Sequence, residues 1–170
     1  MQSIFSFSGK RFFYKRKHKL IHDKTTVRQP DIIEGEDQEP VYRDEYVTII
    51  FYRKSGILCQ EWRGFCPGTE FRAAIDFIFN FMTEKNIYKT ICDVRYQRVV
   101  PPSCQKYVEE KVLGYIKSYG SFFTAFVALE KSVGGVCAGL YDMHLTQKLG
   151  YRINGFFDNV QDAETWLNEK

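Results

Sequence analysis

The residues of this chain best placed to do chemistry stand near its middle: Asp93, Arg95 and Arg98, followed by Ser103. Two guanidiniums beside a carboxylate can grip a phosphate or carboxylate through paired hydrogen bonds, and that is the functional reading of Asp93, Arg95 and Arg98 as a ligand or partner loop. The plainer reading is an ion pair from Asp93 to Arg95 or Arg98 that orders the loop. Ser103 follows Pro101-Pro102, a pattern that opens a helix, where its hydroxyl would cap the first amides. Gly134-Gly135 stands at another helix start, but the chain has neither Gly-x-Gly-x-x-Gly nor a Walker lysine, so close packing explains the pair better than phosphate binding. His18 and His22 are four residues apart, a spacing that suits metal ligation on a helix. The lysines around them repel a cation, however, and no metal is expected. His144 has no Cys or Ser at a catalytic spacing to serve. No catalytic constellation emerges, and neither an enzyme nor a cofactor is expected.

The elements that must hold these residues follow a regular order. Val47 to Tyr52 is β-branched and aromatic, Arg53-Lys54-Ser55-Gly56 is turn chemistry, and Ile57 to Arg63 is extended again, which predicts a hairpin. A helix follows from about residue 70 to 85, with Gly68 or Thr69 as its cap. Its apolar face is Phe71, Ala74, Ile75, Ile78, Phe79 and Met82. Phe77 and Phe81 widen that stripe and are candidates for an interface with a partner or a second copy. Thr90 to Val94 reads as a strand. The helix opened by Ser103 closes at Gly120 and turns Cys104, Val108, Val112, Tyr115, Ile116 and Tyr119 inward. Phe122 to Leu129 is a nearly continuous apolar strand. The next helix runs from Ser132 to Lys148 with Val133, Val136, Cys137, Leu140 and His144 inward. Tyr151 to Phe157 is the last strand, and Asp158 or Asn159 caps a terminal helix. Strands alternating with helices imply an α/β fold, with a mixed, mostly parallel sheet of about five strands and about four covering helices.

Composition sets the setting. A chain of 170 residues with 15 Phe and 11 Tyr has the apolar mass for one aromatic core. The five cysteines, Cys59, Cys66, Cys92, Cys104 and Cys137, are odd in number and scattered in apolar runs. They read as buried hydrophobes in a reducing cytoplasm. No run approaches the ~18 apolar residues of a membrane span, and the first residues make a poor secretory signal. Net charge is +3, but a basic block from Lys10 to Arg28 precedes an acidic one from Asp31 to Glu45. Residues 1–45 are therefore read as a charged, partly ordered N-terminal arm, and residues 46–170 as the domain. Clustered cations suit nucleic acid or an anionic membrane surface, although no base-reading module accompanies them.

A hairpin, a Gly-bounded helix start, a strand ending in Asp93, a helix opened by Ser103, an apolar strand and a closing stretch from Phe156-Phe157-Asp158-Asn159 to Ala163 and Trp166-Leu167 together resemble the STAS, or anti-sigma-factor antagonist (SpoIIAA-like), family. The likeness is strongest to its single-domain bacterial members and covers about residues 46–170. It implies a non-enzymatic regulatory or protein-interaction module. In the family's antagonists a serine at the start of the second main helix is phosphorylated, which makes Ser103 the candidate phosphoacceptor. The Pro101-Pro102 before it and Cys104 after it depart from the family's Asp-Ser and Gly. Two alternatives stand beside this reading. One is a binder or sensor of an apolar small molecule or lipid, which requires an internal pocket lined by Phe71, Tyr115, Phe122 and Phe126. The other is a basic-arm binder of nucleic acid or anionic membrane.

Overall fold

The structure, a computed structural model, describes residues 37–170. The Lys10 to Arg28 block and the His18 and His22 pair lie outside the described residues. Ten elements follow one another: β1 Gln38–Arg43, β2 Val47–Tyr52, β3 Ile57–Gly64, α1 Gly68–Lys85, β4 Lys89–Gln97, α2 Pro102–Tyr119, β5 Phe123–Val127, α3 Val133–Leu149, β6 Asn154–Phe157 and α4 Val160–Asn168. The fold is α/β, and the sheet has six strands in the order β1-β2-β3-β4-β5-β6, antiparallel up to β3 and parallel beyond it.

The strand beyond expectation is β1. Its sequence, Gln-Glu-Pro-Val-Tyr-Arg, hides it, because Pro40 and the charges argue against a strand. Pro40 is tolerated because β1 is the sheet edge and its register shifts between Pro40 and Tyr42. Asp44 closes the turn to β2 by accepting from the amides of Tyr46 at 2.7 Å and Val47 at 2.8 Å.

Because each parallel strand lies beside its predecessor and such crossovers are right-handed, α1, α2 and α3 stack on one face. That face carries the main core, in which Ile49, Leu58, Ile78, Met82, Val112 and Leu145 are fully buried. Alternation sends Ile50, Cys59, Ile91, Ala125 and Val127 to the other face, where α4 covers them with Ala163 and Leu167. Each buried Ile, Leu, Val or Met among them contributes about 1.5–3 kcal/mol, and the alanines less.

Helix ends repeat the sequence reading in three places. Ser132 accepts from the Gly135 amide at 3.1 Å, Asn159 accepts from the Asp162 amide at 2.9 Å, and Gly120 takes the left-handed conformation that ends α2. Two other readings need correction. The residue before α1 is Pro67, not Gly68 or Thr69, and it makes no side-chain cap. The inward face of α3 is Gly134, Ala138, Asp142 and Leu145, whereas Val133, Val136, Leu140 and His144 are exposed. Close approach decides this face, since a Cβ on Gly134 would lie 2.2 Å from the Val94 carbonyl oxygen. Only glycine lets the start of α3 rest on β4, and that contact turns the bulkier apolar residues outward. Tyr119, also read as inward, is exposed.

Candidate functional site

The sheet separates the residues that sequence groups together. Asp93 and Arg95 alternate with Cys92 and Val94, so they lie on the α4 side. Arg95 Nε reaches Asp93 Oδ1 at 3.0 Å and Oδ2 at 3.2 Å, its second nitrogen reaches Oδ2 at 2.7 Å, and the Arg95 amide donates to Oδ1 at 3.1 Å. Asp93 is buried and Arg95 half-buried. The Asp93 hydrogen bond is the main cause that raises the Arg95 pKa above its ordinary value. The pair orders the strand end, and Arg98 is not part of it. Arg98 is exposed, and its amide donates to the Gly64 carbonyl at 2.9 Å.

Ser103 stands with the other helix layer, exposed in the first turn of α2, and it does not cap that helix. The Pro101 carbonyl receives the Cys104 and Gln105 amides at 2.8 and 3.1 Å. Pro102, lacking an N–H, fills the first helical position and removes one donor that would otherwise need a cap. Phe77 and Phe81 are half-buried and have partners in the chain. Phe77 meets Tyr42 at 4.9 Å between centroids, Phe81 meets Phe51 edge-on at 5.6 Å, and the two stack at 5.9 Å. The unforeseen β1 supplies Tyr42, which accounts for much of the width of the aromatic stripe.

The feature that sequence reasoning only sketched is a cavity of about 90 Å³ between the sheet and α1–α3. Its floor is Gln60, Thr90, Cys92 and Thr124, all on the helix-facing side of β3, β4 and β5. Phe71, Ile75, Val112, Ala138 and Tyr141 form its helical wall, and Phe122 and Phe126 close it at the β5 side. Three of the four aromatic residues expected around such a pocket line it. The fourth, Tyr115, does not, because its hydroxyl is tied to the Ile87 carbonyl at 2.7 Å while its ring packs on Phe79 and Phe122. At the carboxyl end of the sheet, an irregularity in the β3–β4 register turns Gln97 toward the cavity. There Gln105 holds the loop by donating to the Val100 carbonyl at 2.8 Å.

Among the described residues, no Asp, Glu, Lys, Arg or His lines this space. Burial pushes the Cys92 thiol up to about 12 and raises the Tyr141 phenol, so both stay neutral at physiological pH. Thr90 Oγ1 donates to Thr124 Oγ1 at 3.2 Å.

Beside the cavity lies a second polar group that sequence reading missed. Asp142 accepts from Asn154 Nδ2 at 2.9 Å and pairs with Arg152 at 3.5 Å, and Lys148 bonds Glu109 nearby. The available signal was the spacing of Asp142 from Ala138 and Leu145, which puts a carboxylate on the buried stripe. Among the described residues no cluster of His, Cys, Asp and Glu could hold a metal ion. None of their helices is long and apolar enough to cross a membrane.

These features define a singly wound α/β domain with an uncharged, partly open cavity between sheet and helices. No protein-family model matches the chain, and no curated protein matches it.

Proposed function

We propose that this domain is a non-enzymatic, STAS-like regulatory module of the cytoplasm that binds a small apolar molecule in its interior. One observation carries the reading: a partly open cavity of about 90 Å³, walled largely by aromatic and aliphatic side chains, lies between the sheet and α1–α3. Protein interiors pack like organic crystals, and a space of this size leaves its apolar lining short of dispersion contacts. The wound order of strands and helices supports the STAS-like setting, and the unpaired thiols of all five cysteines support a reducing compartment.

Benzene enters an engineered apolar cavity of about 150 Å³, so it is a fair probe for a smaller one whose walls are side chains able to shift. Binding to the folded state alone raises the melting temperature. Benzene should stabilise the wild type and shift amide resonances of Thr90, Thr124 and Ala138. An Ala138→Leu variant, in which the space is filled, should melt no higher with benzene than without. Absence of any benzene effect on the wild type would end this reading.

A further inference from the structure

We infer that the occupant of the cavity is an uncharged molecule that carries a hydrogen-bond acceptor, an oxygen or nitrogen, held by hydroxyl donors on the wall of the sheet and on α3. This deepens the proposed function and rests on it. Thr90 and Thr124 each carry one hydroxyl proton, and they share one hydrogen bond at 3.2 Å. Whichever oxygen donates, the other proton has no acceptor among the described residues. The neighbouring acceptor across the ladder, Asn154 Oδ1, is buried and itself unpaired, so it does not take that proton.

Tyr141 supplies a second donor. It lines the cavity, its ring meets Phe126 edge-on at 6.2 Å, and its hydroxyl makes no hydrogen bond to any described residue. Tyr141 is half-buried, and desolvation of its phenol keeps it protonated and able to donate. The side-chain acceptors of the wall are already engaged or distant from this pair. Gln60 Oε1 accepts from Trp62 Nε1 at 3.2 Å, and Gln97 and Gln105 stand at the carboxyl end.

The same wall excludes charge. Among the described residues no cationic side chain lines it to pair with a carboxylate or phosphate, and no acid to pair with an amine. An ion would lose its hydration without compensation, a penalty far beyond what hydroxyl donors return. The chemistry that fits is a small ketone, ester, ether or alcohol with a compact apolar body.

Cyclopentanone and cyclopentane differ by one acceptor and have similar bulk, and cyclobutanecarboxylate adds a charge. Their dissociation constants are read from amide shifts of the full chain, for the wild type, for Thr90→Val with Thr124→Val, and for Tyr141→Phe. The paired Thr→Val change removes both hydroxyls together and leaves no orphan, so it should preserve the fold. It should weaken cyclopentanone roughly five- to tenfold, as should Tyr141→Phe, while cyclopentane binds all three proteins alike. Cyclobutanecarboxylate should not bind. If cyclopentanone and cyclopentane both bind but neither variant separates them, the donors are held by water and the inference fails while the cavity reading stands. If neither binds, both fall.

Discussion

The seat of α3 on β4 can be tested with two glycines of one helix. A methyl group on Gly134 would meet the Val94 carbonyl oxygen at 2.2 Å and Val94 Cβ at 3.1 Å, whereas ordinary contacts of this kind begin at 3.4 Å. Neither partner can rotate away, because both belong to the rigid part of a paired strand. The start of α3 must therefore retreat by about 1 Å, and strain of that order costs about 1–3 kcal/mol. Gly139 lies on the exposed side of the same helix, and a methyl group there would find no atom within 4 Å. At that position the substitution removes only the glycine's extra unfolded-state freedom, a gain of about 0.5–1 kcal/mol. Both Gly134→Ala and Gly139→Ala carry that unfolded-state gain, so the strain alone separates them: the Gly134 variant should have the lower urea midpoint, by roughly 1–3 kcal/mol at an unchanged slope. The thermal midpoints should part likewise, by about 2–4 °C per kcal/mol. Two midpoints displaced in the same direction by similar amounts would refute the argument that this contact sets the face of α3.

Three further outcomes follow from the site geometry. Ser103→Ala should change stability by less than about 0.5 kcal/mol in a urea melt, where loss of a real cap would cost about 1 kcal/mol. Arg95→Met should cost about 2–3 kcal/mol by stranding the buried Asp93 carboxylate, and adding Asp93→Asn should recover part of it; strict additivity in that double-mutant cycle would contradict a coupled pair. The Lys111 ammonium at 2.5 Å and the Tyr107 hydroxyl at 2.5 Å hold the Asp76 carboxyl below its ordinary range. A depressed carboxyl stabilises the fold above its unfolded pKa of about 4 and loses that contribution as pH falls through the lower folded value. Because the pair is partly exposed, the gap between wild type and Asp76→Asn should be at most about 1 kcal/mol at neutral pH and should close on acidification, read from urea midpoints across the titration.

Most of the architecture was legible from periodicity, because the parallel strands are apolar runs and the helices between them have clear ends. What stayed hidden depended on contacts between distant segments. β1 has the composition of a loop and becomes a strand only because β2 offers it an edge. The face of α3 was misread because Val133, Val136 and Leu140 form the more hydrophobic stripe, while a backbone approach visible only in space selects the glycine and alanine side. Asp93, Arg95 and Ser103 are neighbours in sequence, yet strand alternation and the turn to α2 send them to opposite sides of the sheet. The aromatic residues of the cavity were legible as core residues. The threonines among them were not, since a threonine in an apolar strand reads simply as a β-former.

The cavity itself follows from register. On the helix-facing side, neighbouring strands align Leu58 with Thr90, Thr90 with Thr124 and Thr124 with Asn154, and the next row sets Gln60 beside Cys92 and Cys92 beside Phe126. Strands β4 and β5 thus present the short side chains Thr90, Cys92 and Thr124 where the helices above need the most filling. Phe71, Phe122 and Phe126 stand around that gap and keep α1 and α3 from settling onto Thr90 and Thr124. Changing the short residues would not remove the space unless volume were added, which is why Ala138→Leu and the paired Thr→Val substitutions probe different properties. The first alters room at constant polarity, and the second alters polarity at constant room. A wound sheet without a reversal of strand order has no crevice between diverging crossovers, where open α/β sheets usually hold their ligands. The space under the helices is the alternative that this strand order leaves.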